Sequence, residues 1–185
     1  MKKTFRYRLS PTKAQQTTMN KTLELCRSVY NEVLATRKNA WEQEQRSVSR
    51  YDTIGMLSTW KADRPELNQV YSQVLQDVCT RVDLAFQAFF RRVRAGEEPG
   101  YPRYKGHGYD SFTYPQSGFN LLDNGYLYLS KIGNVRVKWH RPIEGRIKTL
   151  TVRRDVLSNW YVCFSCVVDP TTLPLTSKVD RKSVV

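Results

Sequence analysis

Between residues 70 and 93, apolar residues recur at steps of three and four, which predicts a helix with one wide apolar face. That face consists of Val70, Val74, Val78, Val82, Phe86, Phe89 and Val93. The opposite face is marked by arginines, namely Arg81, Arg91, Arg92 and Arg94. Most of these arginines cluster at the C-terminal end, where positive charge complements the helix dipole. We expect the apolar face to enter the core, and the basic end to be either solvated or in contact with phosphate.

One strand and two more helices are predicted before this segment. Arg6 and Arg8 alternate with apolar residues near the N-terminus, which predicts a short strand with one basic face. Residues 12–45 contain neither proline nor glycine and carry apolar residues at helical spacing, so they predict a long helix with a basic outer side. Residues 51–62 predict a shorter helix. We therefore expect residues 12–95 to form a unit of three helices.

From residue 96 onward the pattern changes to loops and strands. Residues 96–109 combine glycine and proline with tyrosine, arginine and lysine, which predicts a basic-aromatic loop. Short alternating segments then follow at the spacing of antiparallel strands, and Asn124-Gly125 is a strong hairpin signal. This pattern is typical of a small barrel or sandwich. Because the N-terminal strand needs a sheet to pair with, we place residues 1–11 with residues 110–168 and treat the helices as an insertion after the first strand.

The composition favours an anionic partner. The 185 residues include 30 Lys and Arg against 17 Asp and Glu, which gives a formal charge of +13. Nucleic acid is the leading candidate partner for such a surplus. An anionic membrane surface ranks second, since the sequence has no apolar run of about 18 residues. The N-terminus lacks the apolar stretch of a signal peptide, so we expect a soluble intracellular protein.

The sequence shows no recognisable catalytic or metal-binding constellation. Cys163 and Cys166 form a C-x-x-C, a spacing that zinc and redox sites use. Their segment alternates as a strand, however, so a three-residue step puts them on opposite faces, and no second pair completes a zinc site. We interpret both as core thiols. His107 and His140 lack paired carboxylates, and Asp123, Glu144 and Asp155 fall at predicted turns.

Several segments together resemble the TnpB (OrfB) family and occur in the family's order. They are FRYRLSPTKAQ at 5–15, LCRSVYNEVL at 25–34, LQDVCTRVDLAFQAFFRRV at 75–93, GYPRYK at 100–105, SFTYPQ at 111–116, LSKIGNVRV at 129–137 and IEGRIKTLTV at 143–152. Proteins of this family are encoded by bacterial transposons, are related to type V CRISPR effectors and are RNA-guided DNA endonucleases, formerly regarded as transposases. The resemblance covers residues 4–168.

The resemblance implies an α+β fold, namely a small antiparallel β-barrel of the wedge type with a three-helix recognition unit inserted after the first strand. It also implies a bacterial, cytoplasmic and nucleoid-associated protein. In the family, a Gly-Ile-Asp-x-Gly segment opens a RuvC nuclease domain shortly after a tail like residues 169–185. We therefore expect residues 169–185 to be a linker toward a nuclease domain absent from this sequence. No catalytic residue and no cofactor is expected in this chain, and a divalent metal such as Mg²⁺ only in that missing domain.

The resemblance also implies two sets of contacts. Candidates for contact with the DNA motif beside the target are Tyr51, Gln76, Gln116 and Ser117. Candidates for contact with guide RNA are Arg6, Arg8, Lys13, Tyr101, Arg103, Tyr104, Lys105, Arg136, Lys138, Arg153 and Arg154. Glutamine reads adenine edges through two hydrogen bonds, and tyrosines interleaved with cations suit stacked bases and phosphates. The plain alternatives are an exposed polar position for Gln76, a packing residue for Tyr51 and solvated cations for the basic set.

We therefore expect a module that binds guide RNA and double-stranded DNA with a short flanking motif, and that cuts only together with the missing nuclease half. Two alternatives remain open. One is a complete nuclease or transposase-like enzyme within these 185 residues. The other is a stand-alone, repressor-like DNA-binding derivative that works without RNA, which RNA copurification would separate from the first interpretation.

Overall fold

The computed structural model describes residues 1–169, which form three α-helices, a 3₁₀ helix and seven strands. In chain order these are β1 (Lys2–Ser10), α1 (Lys13–Glu44), α2 (Arg50–Asp63), the 3₁₀ helix (Pro65–Gln69), α3 (Ser72–Arg94), β2 (Ser111–Tyr114), β3 (Phe119–Leu121), β4 (Tyr126–Leu129), β5 (Gly133–Lys138), β6 (Arg146–Arg154) and β7 (Trp160–Val167). The chain is thus α+β. Apart from Asp169, the predicted linker at 169–185 lies outside the described residues. Within residues 1–169, no helix is both long and apolar enough to cross a membrane.

All seven strands belong to one antiparallel sheet with the order β2-β6-β7-β1-β5-β4-β3. The N-terminal strand β1 lies at its centre, where Phe5 pairs with Phe164 of β7 and Leu9 pairs with Val137 of β5. All four side chains are buried. The predicted pairing of the N-terminal strand with the C-terminal strands is therefore confirmed.

The sheet is not the closed barrel that we expected. β2 and β3 each pair on one side only, so the hydrogen-bonded order has two ends. These ends are joined by the short link 115–118, and the Tyr114 hydroxyl donates to the Ser130 carbonyl beside β4 at 2.8 Å. Because so short a link connects the two edges, the sheet must curve strongly. Side chains rather than a ladder of backbone hydrogen bonds connect the edges.

The free edge of β2 is covered by α3, which explains why no strand pairs there. Arg81 Nη1 donates to the Ser111 carbonyl at 2.9 Å and Nη2 donates to Thr113 Oγ1 at 2.8 Å. The same guanidinium pairs with Asp77 at 2.9 Å. Covering an edge with a helix is a common way to prevent further strand pairing. The expectation that Arg81 lies on the outer face of its helix was wrong, because its side chain is only 24% exposed.

The last turn of α3 also differs from the prediction. Val74, Val78 and Val82 are buried as expected, whereas Val93 is 48% exposed. The helix extends beyond the body of the core, since α3 continues to Arg94 while its buried positions end at Phe86. The periodicity therefore identified the apolar face correctly but not how far along the helix that face is covered.

The two residues predicted to limit the first helix are the caps of α1. Thr12 and Gln15 form a reciprocal capping box, and Gln45 closes the helix in the left-handed conformation with φ 50°. Gln15 also donates through Nε2 to the Asn134 carbonyl at 2.7 Å, which fixes the first turn of α1 against β5. Farther along, Arg37 of α1 pairs with Asp83 of α3 at 2.8 Å. The helical unit is thus attached to the sheet at its start and held together along its length.

Gly118 in the link between β2 and β3 provides a test of this packing. It adopts φ +89°, and a Cβ there would lie 2.4 Å from Tyr71 Cε1. We predict that Gly118→Ala lowers the free energy of unfolding by about 2–4 kcal/mol, since the left-handed backbone costs about 1–2 kcal/mol and overpacking about 1–3 kcal/mol. Urea denaturation followed by circular dichroism measures this loss.

The matched control is Gly125→Ala, since Gly125 has a similar φ of +82° but its Cβ would meet nothing closer than 3.9 Å. We expect this variant to lose only the backbone contribution of about 1–2 kcal/mol. Equal losses of unfolding free energy in the two variants would show that the Tyr71 ring moves aside at little cost and does not fix the link 115–118.

Candidate nucleic-acid interface

A row of directly opposed residues crosses the outer face of the sheet. Arg153 of β6 pairs with Tyr161 of β7, and Tyr161 pairs in turn with Arg8 of β1. Arg8 also pairs with Lys138 of β5. Paired residues on antiparallel strands project from the same face, and neighbouring strands are about 4.8 Å apart. Three cations and one tyrosine therefore line a strip about 14 Å across, which we call the sheet strip.

A second row adjoins the sheet strip. Arg6 pairs with Cys163 of β7, and the Arg6 guanidinium carbon lies 3.9 Å from the centre of the Tyr161 ring. Arg8 donates through Nη2 to Asn159 Oδ1 at 2.6 Å. Stacking and hydrogen bonding hold both guanidinium groups in defined positions on the sheet.

Arg153 of the sheet strip and Arg6 of the second row line a groove of about 820 Å³. The groove is lined by Arg6, His107, Arg153, Arg154, Val156 and Cys163, among others. A second depression, of about 320 Å³, shares Arg6 with the groove and extends it past Arg8 and Lys138. The basic residues of β1, β5 and β6 therefore share one continuous concave surface.

This surface continues from the sheet onto α1. Arg154 donates to Asn20 Oδ1 of α1, and its guanidinium carbon lies 5.9 Å from the centre of the Trp160 ring. A smaller depression of about 210 Å³ is shared by Arg154, His107 and Arg27 of α1. Arg154 therefore joins the positive face of the sheet to that of the helical unit.

Acidic side chains neutralise only part of this surface. Asp110 pairs with Arg153 at 3.0 Å, and Glu24 pairs with Arg27. In residues 1–169, no ion pair involves Arg6, Arg8 or Lys138. The centre of the sheet strip therefore retains uncompensated positive charge.

Arg136 and Lys13 extend the same side of the molecule. Arg136 is exposed on β5, two residues before Lys138 and so on the same face. Lys13 is exposed in the first turn of α1, which Gln15 fixes against β5. Arg136 therefore adjoins the sheet strip, whereas Lys13 belongs to the turn of α1 that contacts β5.

The basic-aromatic loop lies against α1 and α3, apart from the sheet strip. Asn31 of α1 clamps the Lys105 backbone, accepting from its N–H at 2.7 Å and donating to its carbonyl at 3.0 Å. The Tyr101 ring packs edge-on against Phe89, with centroids 5.4 Å apart. Tyr104 and Arg103 are exposed and line a depression of about 350 Å³. The RNA candidates thus fall into two groups, and Tyr101 packs against α3 while remaining 43% exposed.

Gln116 and Ser117 lie beside the start of α3, and Gln76 lies on the second turn of that helix. Ser117 Oγ lies 2.9 Å from the Tyr71 hydroxyl, and Gln116 is its exposed neighbour. Gln76 is exposed on α3, about 7.5 Å along the axis from Tyr71. Tyr51 lies elsewhere, 73% exposed at the start of α2. The other end of α2 meets α3, where Lys61 donates to Ser72 Oγ at 2.8 Å.

Sequence reasoning missed several residues of the groove. Tyr161 and Asn159 hold Arg6 and Arg8, yet the strand pattern only shows that Tyr161 faces away from the core. Cys166 is fully buried as expected, but Cys163 lies partly exposed in the groove, so its interpretation as a core thiol was wrong. Burial raises the pKa of the Cys163 thiol, although Arg6 and Arg153 act to lower it. The signal that would have placed these residues is strand register, which alternation does not supply.

Comparison with known proteins identifies the family. Residues 1–46 match the model of a helix-turn-helix domain, HTH_OrfB_IS605. A Streptomyces pristinaespiralis protein provisionally named RNA-guided DNA endonuclease is 34% identical over 184 residues, which cover 96% of this chain and 44% of that protein. The chain belongs to the TnpB (OrfB) family. A second TnpB-family relative, from Escherichia coli K12 and provisionally named RNA-guided DNA endonuclease InsQ, is 29% identical over 161 residues, covering 85% of this chain and 39% of InsQ.

Two structural facts qualify these matches. The chain spans less than half the length of both TnpB-family relatives. The segment that matches the helix-turn-helix model forms β1 and the single helix α1, with no turn between Lys13 and Glu44. The match therefore identifies the TnpB family and not a two-helix motif in this part of the chain.

The Arg81 network that joins α3 to the sheet provides a second test. We predict that Arg81→Met lowers the free energy of unfolding by about 2–4 kcal/mol, because Asp77 and the edge groups of β2 then lose their charged partner. Asp77 is only 17% exposed, so water replaces the guanidinium poorly. Chemical denaturation of the purified chain measures the change.

The matched control is Arg153→Met, because Arg153 also pairs with an aspartate, Asp110, but these side chains are 61% and 41% exposed. An exposed pair contributes about 0–1 kcal/mol, so this variant should remain close to wild type. A loss from Arg81→Met as small as that from Arg153→Met would show that α3 is not fastened to β2 through the guanidinium.

Proposed function

We propose that this chain is the nucleic-acid-binding part of a TnpB-type, RNA-guided DNA endonuclease. The sheet strip would hold the guide RNA, and the start of α3 with the β2–β3 link would contact DNA beside the target. The observation that carries this proposal is the row Arg153, Tyr161, Arg8 and Lys138, which is continuous across four strands and little neutralised. The relatives' names support it, since they describe RNA-guided endonucleases.

The arrangement suits RNA for physical reasons. Cations that contact phosphates release condensed counterions, and this release supplies most of the sequence-independent affinity. The Arg6 guanidinium stacked on the Tyr161 ring offers a planar surface, and such planes stack on RNA bases. The groove therefore combines charge for the backbone with a flat surface for bases.

The domain organisation follows from the same proposal. The curved, open sheet formed by residues 1–11 and 110–168 would correspond to the wedge domain, and residues 12–95 to the recognition unit. Residues 96–109 would be the basic-aromatic loop between them. The cleavage chemistry and its divalent metal would belong to the part of the relatives that this chain does not cover. The complete protein would then act on DNA of the bacterial nucleoid, in the cytoplasm.

The proposal predicts where RNA affinity originates. We expect the combined variant Arg6→Gln, Arg8→Gln and Lys138→Gln to bind structured RNA about 100-fold more weakly. The slope of log affinity against log salt should decrease in magnitude by about 2–3, since each of the three lost contacts removes about 0.7–0.9. Fluorescence anisotropy with the labelled RNA that copurifies with the chain measures both quantities.

The control removes the same charge from another surface. Arg91, Arg92 and Arg94 are exposed at the end of α3, and their combined change to glutamine should weaken RNA binding by no more than a few-fold. Equal losses in the two triple variants would show that net charge, and not the sheet strip, determines binding. Purification free of RNA, together with tight binding to one DNA sequence, would contradict the RNA assignment and favour the repressor-like alternative.

A separate prediction concerns DNA reading at α3. We expect Gln76→Ala to reduce the preference among bases flanking the target by about 10–100-fold, because a bidentate glutamine contact discriminates by about 1–3 kcal/mol. Binding to a library of DNA duplexes randomised at the flank, in the presence of the RNA, measures this preference.

The same helix offers a matched control. Gln87 is also exposed on α3, eleven positions farther along, so Gln87→Ala removes the same side chain about 16 Å away. This variant should keep the wild-type flank preference. An unchanged preference in Gln76→Ala, or the same change in both variants, would contradict the assignment of Gln76.

A further inference from the structure

The turn between β6 and β7 carries two adjacent, exposed aliphatic side chains at its tip. Val156 is 99% exposed and Leu157 is 78% exposed, more than the other large hydrophobic residues of the described chain. Single exposed apolar residues are ordinary on protein surfaces. Two adjacent ones at the tip of a turn, each almost fully accessible, offer a small projecting apolar surface, which we call the 156–157 tip.

The 156–157 tip is held by an ordered turn. The Asp155 carboxylate accepts from the backbone N–H of Leu157 at 2.9 Å and of Asn159 at 2.8 Å. Asp155 N–H donates to the Asn159 carbonyl at 2.9 Å, and Ser158 adopts φ +62°. Asp155 and Asn159 therefore fix the backbone of the turn in the conformation that exposes the two aliphatic side chains.

Arginines outnumber acidic residues around the 156–157 tip, although Asp110 and Asp155 also line the groove. Arg154 immediately precedes the turn, and Val156 lines the 820 Å³ groove together with Arg6 and Arg153. Asn159, which closes the turn, accepts from Arg8 of the sheet strip. A ligand that fits this place must therefore offer negative charge to the groove and an apolar face to the tip. Nucleic acid offers both, because phosphates surround the flat faces of its bases.

We propose that the 156–157 tip packs against the terminal base pair of an RNA helix whose backbone lies in the groove. This inference rests on the proposed function, because the sheet strip must first hold the RNA. Apolar side chains pack against base steps in many nucleic-acid complexes, and base faces accept such contacts without regard to sequence. The tip therefore marks where a helix in the groove ends, and the arginines supply the charge-dependent affinity.

The test compares two double variants with the full chain. Val156→Ser with Leu157→Ser removes the apolar tip, and Leu84→Ser with Val93→Ser removes the same residue types from two exposed positions of α3. Circular dichroism verifies that both variants fold. The probe is a blunt-ended RNA duplex carrying 2-aminopurine in its terminal pair, and a second duplex carries it internally.

We expect wild type and the α3 variant to lower the fluorescence of the terminal 2-aminopurine on binding, since a capped end frays less. The internal 2-aminopurine should not respond. The tip variant should lose the terminal response and bind about ten-fold more weakly, with an unchanged salt slope. A terminal response retained by the tip variant would overturn the inference, and so would a response to blunt DNA duplexes but not to RNA.

Alkylation of Cys163 distinguishes failure of this inference from failure of the proposed function. Its thiol is partly exposed in the groove, whereas Cys26, Cys79 and Cys166 are buried, so alkylation at mildly alkaline pH reports the groove. RNA should protect Cys163 from alkylation in wild type and in both double variants. Protection without a terminal response in wild type would overturn the capping role alone. A Cys163 that RNA never protects would overturn the proposed function together with the inference that rests on it.

Discussion

The pairing of β1 between β5 and β7 determines the rest of the structure. The strand from the N-terminus lies between strands from the far end of the sequence, and Phe5, Tyr7 and Leu9 enter the core. Because a strand alternates its side chains, burial of these three residues forces Arg6 and Arg8 onto the outer face at the centre of the sheet. The middle of the basic surface is thus a consequence of core packing.

Arg81 explains why the sheet stays open while a helical unit lies beside it. A guanidinium satisfies the Ser111 carbonyl at the free edge of β2, and Asp77 balances its charge. A polar helix residue thereby takes the place of a partner strand, so the curved sheet needs no closing ladder. The same contacts orient α3 so that its first turns lie beside the β2–β3 link, where Tyr71 meets Ser117. The free edge of β2, through its contacts with Arg81, therefore also positions the candidate DNA-contacting residues.

Periodicity and capping rules predicted the helices, most strands and the basic outer faces, because those features depend on local sequence. Thr12 and Gln45, the predicted limits of the first helix, are its caps. Arg81 was misplaced because its partners in the sheet, Ser111 and Thr113, lie about thirty residues away along the chain, beyond any periodic signal. Cys163 was misplaced because alternation shows that two cysteines face opposite ways, but not that the second face borders a groove. The row of Arg8 and Tyr161 depends on register between distant strands, which no local pattern encodes.

The candidate RNA contacts on the sheet strip and the candidate DNA contacts near the start of α3 differ in physical character. This difference supports separate roles for the two groups within the proposed function. Arginines and a lysine dominate the sheet strip, and charge grips phosphates without regard to sequence. The start of α3 and the β2–β3 link instead present the neutral, exposed side chains of Gln76 and Gln116, which add little to non-specific affinity but have two hydrogen-bonding groups each. A protein guided by RNA needs that separation, because its guide must stay bound while many DNA sequences are sampled. A surface that is strongly charged everywhere would retain wrong DNA as firmly as the guide, so the neutrality of these glutamine side chains is as important as the charge of the sheet.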